Sequence, residues 1–77
     1  MDWKKLKIHP GHRLFKVHHY MYMADGNSYQ FEVNEFADGT FSGHGVHSAD
    51  ELNQLKSVSK KSLEECIQAL IDLAVKR

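Results

Sequence analysis

The chain lacks disulfide chemistry, long apolar runs and any signal for export. Its single cysteine, Cys66, can form no disulfide within the chain, so the fold does not depend on an oxidising compartment. No apolar run approaches the roughly 18 residues that a membrane span needs. No apolar signal region follows the N-terminus either. We therefore expect a cytoplasmic protein.

The chain is also too short for a second domain or a deep core. Its 77 residues are enough for one domain, residues 1–77. A core of this size supplies roughly 3–5 kcal/mol of net stability. We expect little room in it for an enclosed active site.

The chain has no excess of positive or negative charge, because its ten basic and ten acidic residues cancel. Residues 1–19 carry five basic groups and one acid, residues 20–55 six acids and no lysine or arginine, and residues 56–77 five basic groups and three acids. An acidic middle between basic ends offers no concentrated basic face, so nucleic acid is not an expected partner.

Signatures of catalysis are absent as well. The chain contains no nucleophile elbow, no glycine-rich phosphate loop and no zinc motif. The sequence therefore predicts a protein that is not an enzyme, with no cofactor and no small-molecule substrate.

Alternating apolar residues and turn signals predict three antiparallel strands, at residues 13–23, 29–36 and 41–46. Gly26 and Asn27 can take positive φ in the first turn, and Asp38-Gly39 is typical of a two-residue hairpin loop. Gly43 and Gly45 in the third strand indicate a bulge or the close approach of another backbone.

The first strand has two distinct faces. The more apolar set, which we expect in the core, comprises Phe15, Val17, His19, Met21 and Met23. The other set comprises Leu14, Lys16, His18, Tyr20 and Tyr22. A two-residue loop at Asp38-Gly39 would pair Phe31 with Val46, and pairing Met23 with Tyr29 would place Met21 opposite Phe31.

Two capping boxes predict helices after the strands. Ser48 with Glu51 predicts a short helix at residues 49–55, and Ser62 with Glu65 predicts a longer one. The apolar residues of the second helix follow helical spacing and should cover the core face of the strands. They are Leu63, Cys66, Ile67, Leu70, Ile71 and Ala74. The expected fold is α+β, a three- or four-stranded antiparallel meander packed against a C-terminal amphipathic helix.

Residues 1–12 are ambiguous between strand and helix spacing, and Pro10-Gly11 interrupts any regular element. We expect an N-terminal arm or short edge element that docks through Trp3.

Six histidines raise a metal hypothesis that the spacing does not support. Adjacent residues of a strand point to opposite faces, which separates His18 from His19. The same alternation separates His44 from His47. His19 and His44 share a face but are about two strand spacings apart, roughly 9–10 Å. We expect no metal site, and we expect His19 and His44 at the edge of the core.

The outer face of the meander is the candidate binding surface. Tyrosines among polar groups suit a protein interface, because they contribute area at little entropic cost. The candidate contact residues are Tyr20, Tyr22, His18, Glu32, Asn34 and Phe36. The alternative is that the N-terminal arm covers this face.

The run from Gly26 to Leu52 resembles a small phage-encoded type I-F anti-CRISPR family of similar length. The matching positions are turns, caps and core residues, and they cover about a third of the chain. They are Gly26, Val33, Gly39, Gly43, Ser48, Glu51 and Leu52. The resemblance implies a non-enzymatic protein, encoded by a phage or mobile element, that binds a larger assembly through a sheet face.

The sequence therefore favours a small non-catalytic module that occupies the surface of a partner protein. A homodimer that uses the same face is a second interpretation, and a histidine-based metal protein or small hydrolase is a third.

Overall fold

The computed structural model describes residues 2–75 except for the side chain of Glu51. A 3₁₀ turn at Trp3–Lys5 precedes an antiparallel sheet of four strands in the order β1-β2-β3-β4. The strands are β1 (Lys16–Ala24), β2 (Asn27–Glu35), β3 (Phe41–His47) and β4 (Asp50–Lys60), and α1 spans Leu63–Val75. The expected α+β meander with a C-terminal helix is confirmed.

The turn between β1 and β2 is shorter than expected. Asp25 and Gly26 alone form it, with φ of 51° and 80°, which is the combination a type I′ turn requires. Ala24 therefore pairs with Asn27 and Tyr22 with Tyr29, and the register continues without a shift to Lys16 and Glu35. The expected pairing of Met23 with Tyr29 is wrong by one residue.

The β2–β3 loop, by contrast, is one residue longer than expected. Gly39 N donates to Phe36 O at 3.1 Å, Phe36 N donates to Thr40 O at 2.9 Å, and Gly39 has φ of 90°. The loop is thus Ala37-Asp38-Gly39, three residues long with glycine last. Phe31 pairs with Gly45, so the expected pairing of Phe31 with Val46 is wrong.

These registers divide the sheet into two faces. We call the side covered by α1 the helix face and the other side the open face. The helix face contains Tyr29, Phe31 and Val33 on β2, flanked by Tyr20 and Tyr22 on β1 and by Gly43 and Gly45 on β3. The open face contains Val17, His19, Met21 and Met23 on β1, Ser28, Gln30, Glu32 and Asn34 on β2, and Ser42, His44 and Val46 on β3.

The short helix predicted at residues 49–55 is wrong, because this segment is the start of β4. Ser48, the expected cap, instead lies in the turn before β4, where its N–H donates to Ser28 O at 2.8 Å. Leu55 pairs with Gly45 and is buried. Leu55 packs beside a glycine of β3, and the burial of its side chain stabilises the strand more than the capping box would stabilise a helix. The side chain of Glu51, the other half of the expected capping box, lies outside the described residues.

The C-terminal helix is where the sequence predicts it. Ser62 Oγ accepts a hydrogen bond from Glu65 N at 3.2 Å, as expected of its N-cap. Cys66, Leu70 and Ala74 are buried against β2, β3 and β4. Burial raises the pKa of the Cys66 thiol, which therefore stays protonated and unreactive near neutral pH. Within residues 2–75, no helix has the length and apolar character needed to cross a membrane.

The N-terminal arm docks at one end of the sheet and leaves the open face uncovered. Trp3 is half-buried and, with Leu14 and Phe15, lines a small depression there. Lys4 Nζ lies 3.0 Å from Glu35 Oε2, which anchors the arm on the helix side of β2. Docking through Trp3 is consistent with the prediction. The alternative, in which the arm covers the candidate surface, holds in part, because Ile8 and His12 line a depression together with Phe36.

Candidate functional site

The six candidate contact residues do not form one surface. His18, Tyr20 and Tyr22 lie on the helix face, whereas Glu32 and Asn34 lie on the open face. Phe36 packs at the end of the sheet, with its ring 5.5 Å from that of Phe15. The expected patch is therefore wrong as a single surface.

The two tyrosines of β1 belong beside the core because their rings pack there. The Tyr22 ring stacks on that of Phe31 at 5.6 Å with an interplanar angle of 14°. Tyr20, opposite Phe31 in the register, remains 42% exposed because α1 lies over β2 to β4. Tyr22 is consequently a packing residue, and Tyr20 forms the rim of the helix face.

His18 and Glu35 close the helix face at the end where the arm docks. Each side chain is only 16% exposed, and His18 Nε2 lies 2.9 Å from Glu35 Oε1. The hydrogen bond from His18, followed by that from Lys4, lowers the pKa of Glu35. The carboxylate is thus ionised and acts as an acceptor, so Nε2 of His18 carries the proton and donates.

Replacing Glu35 with glutamine is expected to reduce the free energy of unfolding by about 0.5–1 kcal/mol at pH 7, since Lys4 is partly exposed and water screens its charge. The pKa of Glu35 is lowered in the folded state, so its contribution is complete above the unfolded value and disappears as pH falls through the folded value. Urea unfolding of both proteins between pH 7 and pH 3 measures this. A difference that does not narrow on acidification would contradict the assignment.

The open face presents an apolar column along β1. Val17, Met21 and Met23 are 39%, 59% and 74% exposed, and no element among the described residues packs over them. The sequence assigned these side chains to the core, together with Phe15, and that prediction is wrong. Methionine is flexible and polarisable, so its exposure suits an adaptable contact surface.

A polar row crosses the middle of the open face. His19, Glu32 and His44 are in register on β1, β2 and β3. His19 Nδ1 lies 3.7 Å from Glu32 Oε2, and His44 Nε2 lies 3.7 Å from Glu32 Oε1. The two histidines share a face as predicted, but they are exposed and not at the edge of the core. Glu32 separates them and occupies the space between their rings.

Metal ligation has no geometric support in the part of the chain that is described. No group of three or more His, Cys, Asp and Glu side chains there could hold an ion. His18 and His19 point to opposite faces, as expected from strand alternation, and so do His44 and His47.

A shallow depression of about 330 Å³ lies at the other end of the helix face, between the β1–β2 turn and the end of α1. His47 borders it, with Nδ1 accepting from Ala49 N at 3.2 Å and Nε2 facing Asn27 Oδ1 at 3.1 Å. With Nδ1 accepting, Nε2 is the ring nitrogen that donates to Asn27. Asn53 also lines the depression, and its buried Oδ1 has no hydrogen-bond partner within residues 2–75. Both ring nitrogens of His47 therefore have hydrogen-bond partners.

Sequence reasoning missed the exposed apolar column and the free edge of β1. The signal for the edge was present, since residues 17–24 contain no proline and no lysine, arginine, aspartate or glutamate. Comparison with known proteins found no family model, curated protein or solved structure that matches the chain.

Proposed function

We propose that this chain is a small non-catalytic protein-binding module that acts by occupying the surface of a partner protein with its open face. The observation that carries the proposal is the exposed column of Val17, Met21 and Met23 on a face that α1 leaves uncovered. An antiparallel sheet can have one face in water, but that face is then normally polar. Apolar side chains concentrated on its edge strand favour a binding surface.

The polar row beside the column supports a protein as the partner. On β1 to β3, the titratable side chains of the open face are His19, Glu32 and His44, with the carboxylate between the two imidazoles. Nucleic acid recognition relies on several fixed cations facing the phosphates. An apolar column beside hydrogen-bonding groups matches instead the mixed composition of protein interfaces.

The resemblance to the anti-CRISPR family gives the proposal a biological form, that of an inhibitor encoded by a phage or mobile element. Such a protein needs no catalytic group, since occupying a surface is sufficient for inhibition. On the open face, the residues that we propose as contacts are Val17, Met21, Met23 and Glu32.

The test compares two double variants with the same change in charge. Met23→Lys with Glu32→Lys alters the open face, and Gln68→Lys with Asp72→Lys alters the exposed side of α1. A partner identified by affinity capture from the native cells is then purified and titrated by calorimetry. The open-face variant is expected to bind at least about tenfold more weakly, which is the loss of about 1.4 kcal/mol of contact energy.

The α1 variant should bind that partner as the unmodified protein does. Equal binding by both double variants would place the interface elsewhere. If the unmodified chain, introduced as bait into native cells, retains no protein in a stoichiometric amount, the proposal is wrong.

A further inference from the structure

The two edges of the sheet are built differently. The β4 edge is irregular, because its pairing with β3 shifts register between Gly43 and Gly45 and again between Val46 and His47. It also carries the charges of Asp50, Lys56 and Lys60. Bulges and charges are the features that protect an edge strand from pairing with another chain. The β4 edge is therefore a protected edge.

The β1 edge has neither feature in its interior. All nine residues from Lys16 to Ala24 pair with β2 without a shift, and Lys16 at the strand's start is the one lysine. Within residues 2–75, no strand pairs with the outer edge of β1, and the N-terminal arm docks at the end of β1 rather than along it. An edge that is long, regular and largely uncharged is a template for another strand.

The turn determines which backbone groups of β1 are free. The residues that flank a two-residue loop exchange both hydrogen bonds, so Ala24 bonds to Asn27, and every second residue before Ala24 bonds to β2. The intervening residues direct their N–H and C=O groups away from the sheet. They are Val17, His19, Met21 and Met23.

We propose that β1 pairs antiparallel with β1 of a second copy of this chain, with Tyr20 opposite Tyr20 on the two-fold axis. Of the symmetric registers, this one overlaps the whole strand and brings the outward-facing residues of one copy opposite those of the other. Val17 then pairs with Met23 of the second copy, and His19 pairs with Met21. About eight new backbone hydrogen bonds form, one for each outward N–H of the two strands.

The side chains are compatible with this register on both faces of the sheet. On the open face, Val17 contacts Met23 of the second copy, so the two apolar columns merge into one stripe across the axis. On the helix face, the half-exposed Tyr20 rings meet, and His18 lies beside Tyr22 of the second copy. Lys16 lies opposite Ala24 of the second copy, so no two like charges face each other.

The result is a continuous eight-stranded sheet with α1 and its copy on one side and a shared open face on the other. An isologous contact of this kind is closed, because both free β1 edges are used up. The dimer does not depend on the proposed function. It would nevertheless double the area of the open face that a partner protein could contact.

Amide hydrogen exchange tests the pairing residue by residue. At about 1 mM protein, the amides of Val17, His19, Met21 and Met23 are expected to be protected, and at about 50 µM their protection should fall with the dimer population. The amides of Tyr20 and Tyr22 already bond to β2 and should be protected at both concentrations. Light scattering over the same range should show the mass rising from monomer to dimer.

Two variants address the edge without altering the core. Met21→Pro removes an N–H that faces away from β2, and Tyr20→Lys places two ammonium groups opposite each other on the axis. Each is expected to remain a monomer with an unchanged far-ultraviolet circular dichroism spectrum. Ser59→Lys on β4 is the matched control and should dimerise normally, since Ser59 pairs with Ser42 far from the β1 edge.

Three results would overturn the proposal. The first is a monomeric mass for the unmodified chain up to about 1 mM. The second is exchange at the outward amides that does not depend on concentration, and the third is dimerisation that persists in both edge variants. Since Tyr20→Lys retains every backbone donor, failure of the proline variant to fold would leave the lysine variant to decide. Loss of the dimer with intact binding of a partner would separate this interface from the open-face surface.

Discussion

Replacing Gly43 with alanine is expected to reduce the free energy of unfolding by about 2–3 kcal/mol, which is most of what a core of this size provides. A Cβ atom at this position would lie 2.7 Å from Cys66 Sγ and 3.1 Å from Leu70 Cδ1. Both atoms belong to buried residues of α1, so the helix must move away from the sheet. Urea unfolding followed by circular dichroism measures the loss.

The cause of the loss can be isolated with a double-mutant cycle. Cys66→Ala removes the sulfur that the new methyl group would meet, so adding Gly43→Ala to that variant should cost at least about 1 kcal/mol less than it costs alone. Ser42→Ala, next in the strand but on the open face, is the control and should be within about 0.5 kcal/mol of the unmodified protein. Additive losses would show that the helix does not rest on Gly43.

The same contact explains what the glycines of β3 could and could not reveal in the sequence. Gly43 and Gly45 correctly predicted an irregularity, since the register shifts between them. The alternative interpretation was the close approach of another backbone, but the nearest atoms are those of side chains. A Cβ atom at Gly45 would lie 2.9 Å from Phe31 Cδ1 and 3.0 Å from Leu55 Cδ1. Partners so distant in sequence are specified by the assembled core and not by local spacing.

The core of β2 and the helix were predictable because their periodicity is unambiguous. Phe31 and Val33 alternate with polar residues, and both are fully buried. The helix repeats Cys66, Leu70 and Ala74 at intervals of four, and all three are buried. In both elements one face is clearly the more apolar, so only one orientation is consistent with burial.

Orientation of β1 was not predictable in the same way, because both of its faces carry large side chains. The length of the β1–β2 loop determines which face of β1 turns toward the core. A change of one residue in that length exchanges the two faces. Both predicted registers are displaced by one residue, and in each of them apolar residues of the outer strand share a face with Phe31 and Val33. Internal agreement therefore could not reveal the error. The two registers are determined by the two-residue turn in which Asp25 has positive φ and by the three-residue loop that ends at Gly39.

The candidate binding surface differs from the predicted one because the opposite face of β1 is exposed. The sequence favours Tyr20 and Tyr22 as contacts because tyrosine is common at interfaces, and it assigns the methionines to the core because they are apolar. In the structure, ring stacking on Phe31 holds Tyr22 inward, and a hydrogen bond to Glu35 accommodates His18. The polar ends of these residues thus have partners or reach the rim, which removes the usual penalty for placing them beside a core.

This reversal predicts opposite outcomes for two neighbouring residues. Tyr22→Ala is expected to reduce the free energy of unfolding by about 2 kcal/mol, since it removes a ring that packs on Phe31. Met23→Ala should change it by less than about 0.5 kcal/mol, because Met23 is 74% exposed. Paired urea unfolding curves of the two variants, recorded at one protein concentration below that of any self-association, measure the difference.

The comparison distinguishes the two registers of β1, because the alternative register exchanges the positions of Tyr22 and Met23. If β1 were turned over, Met23 would pack beside Phe31 on the helix face and its truncation would be the costly one, whereas Tyr22 would be free to change. Tyr22→Phe is the companion variant: it keeps the stacked ring, so it should retain nearly all of the stability that alanine loses. A larger loss from Met23→Ala than from Tyr22→Ala would return the methionines to the core and remove the apolar column from the open face.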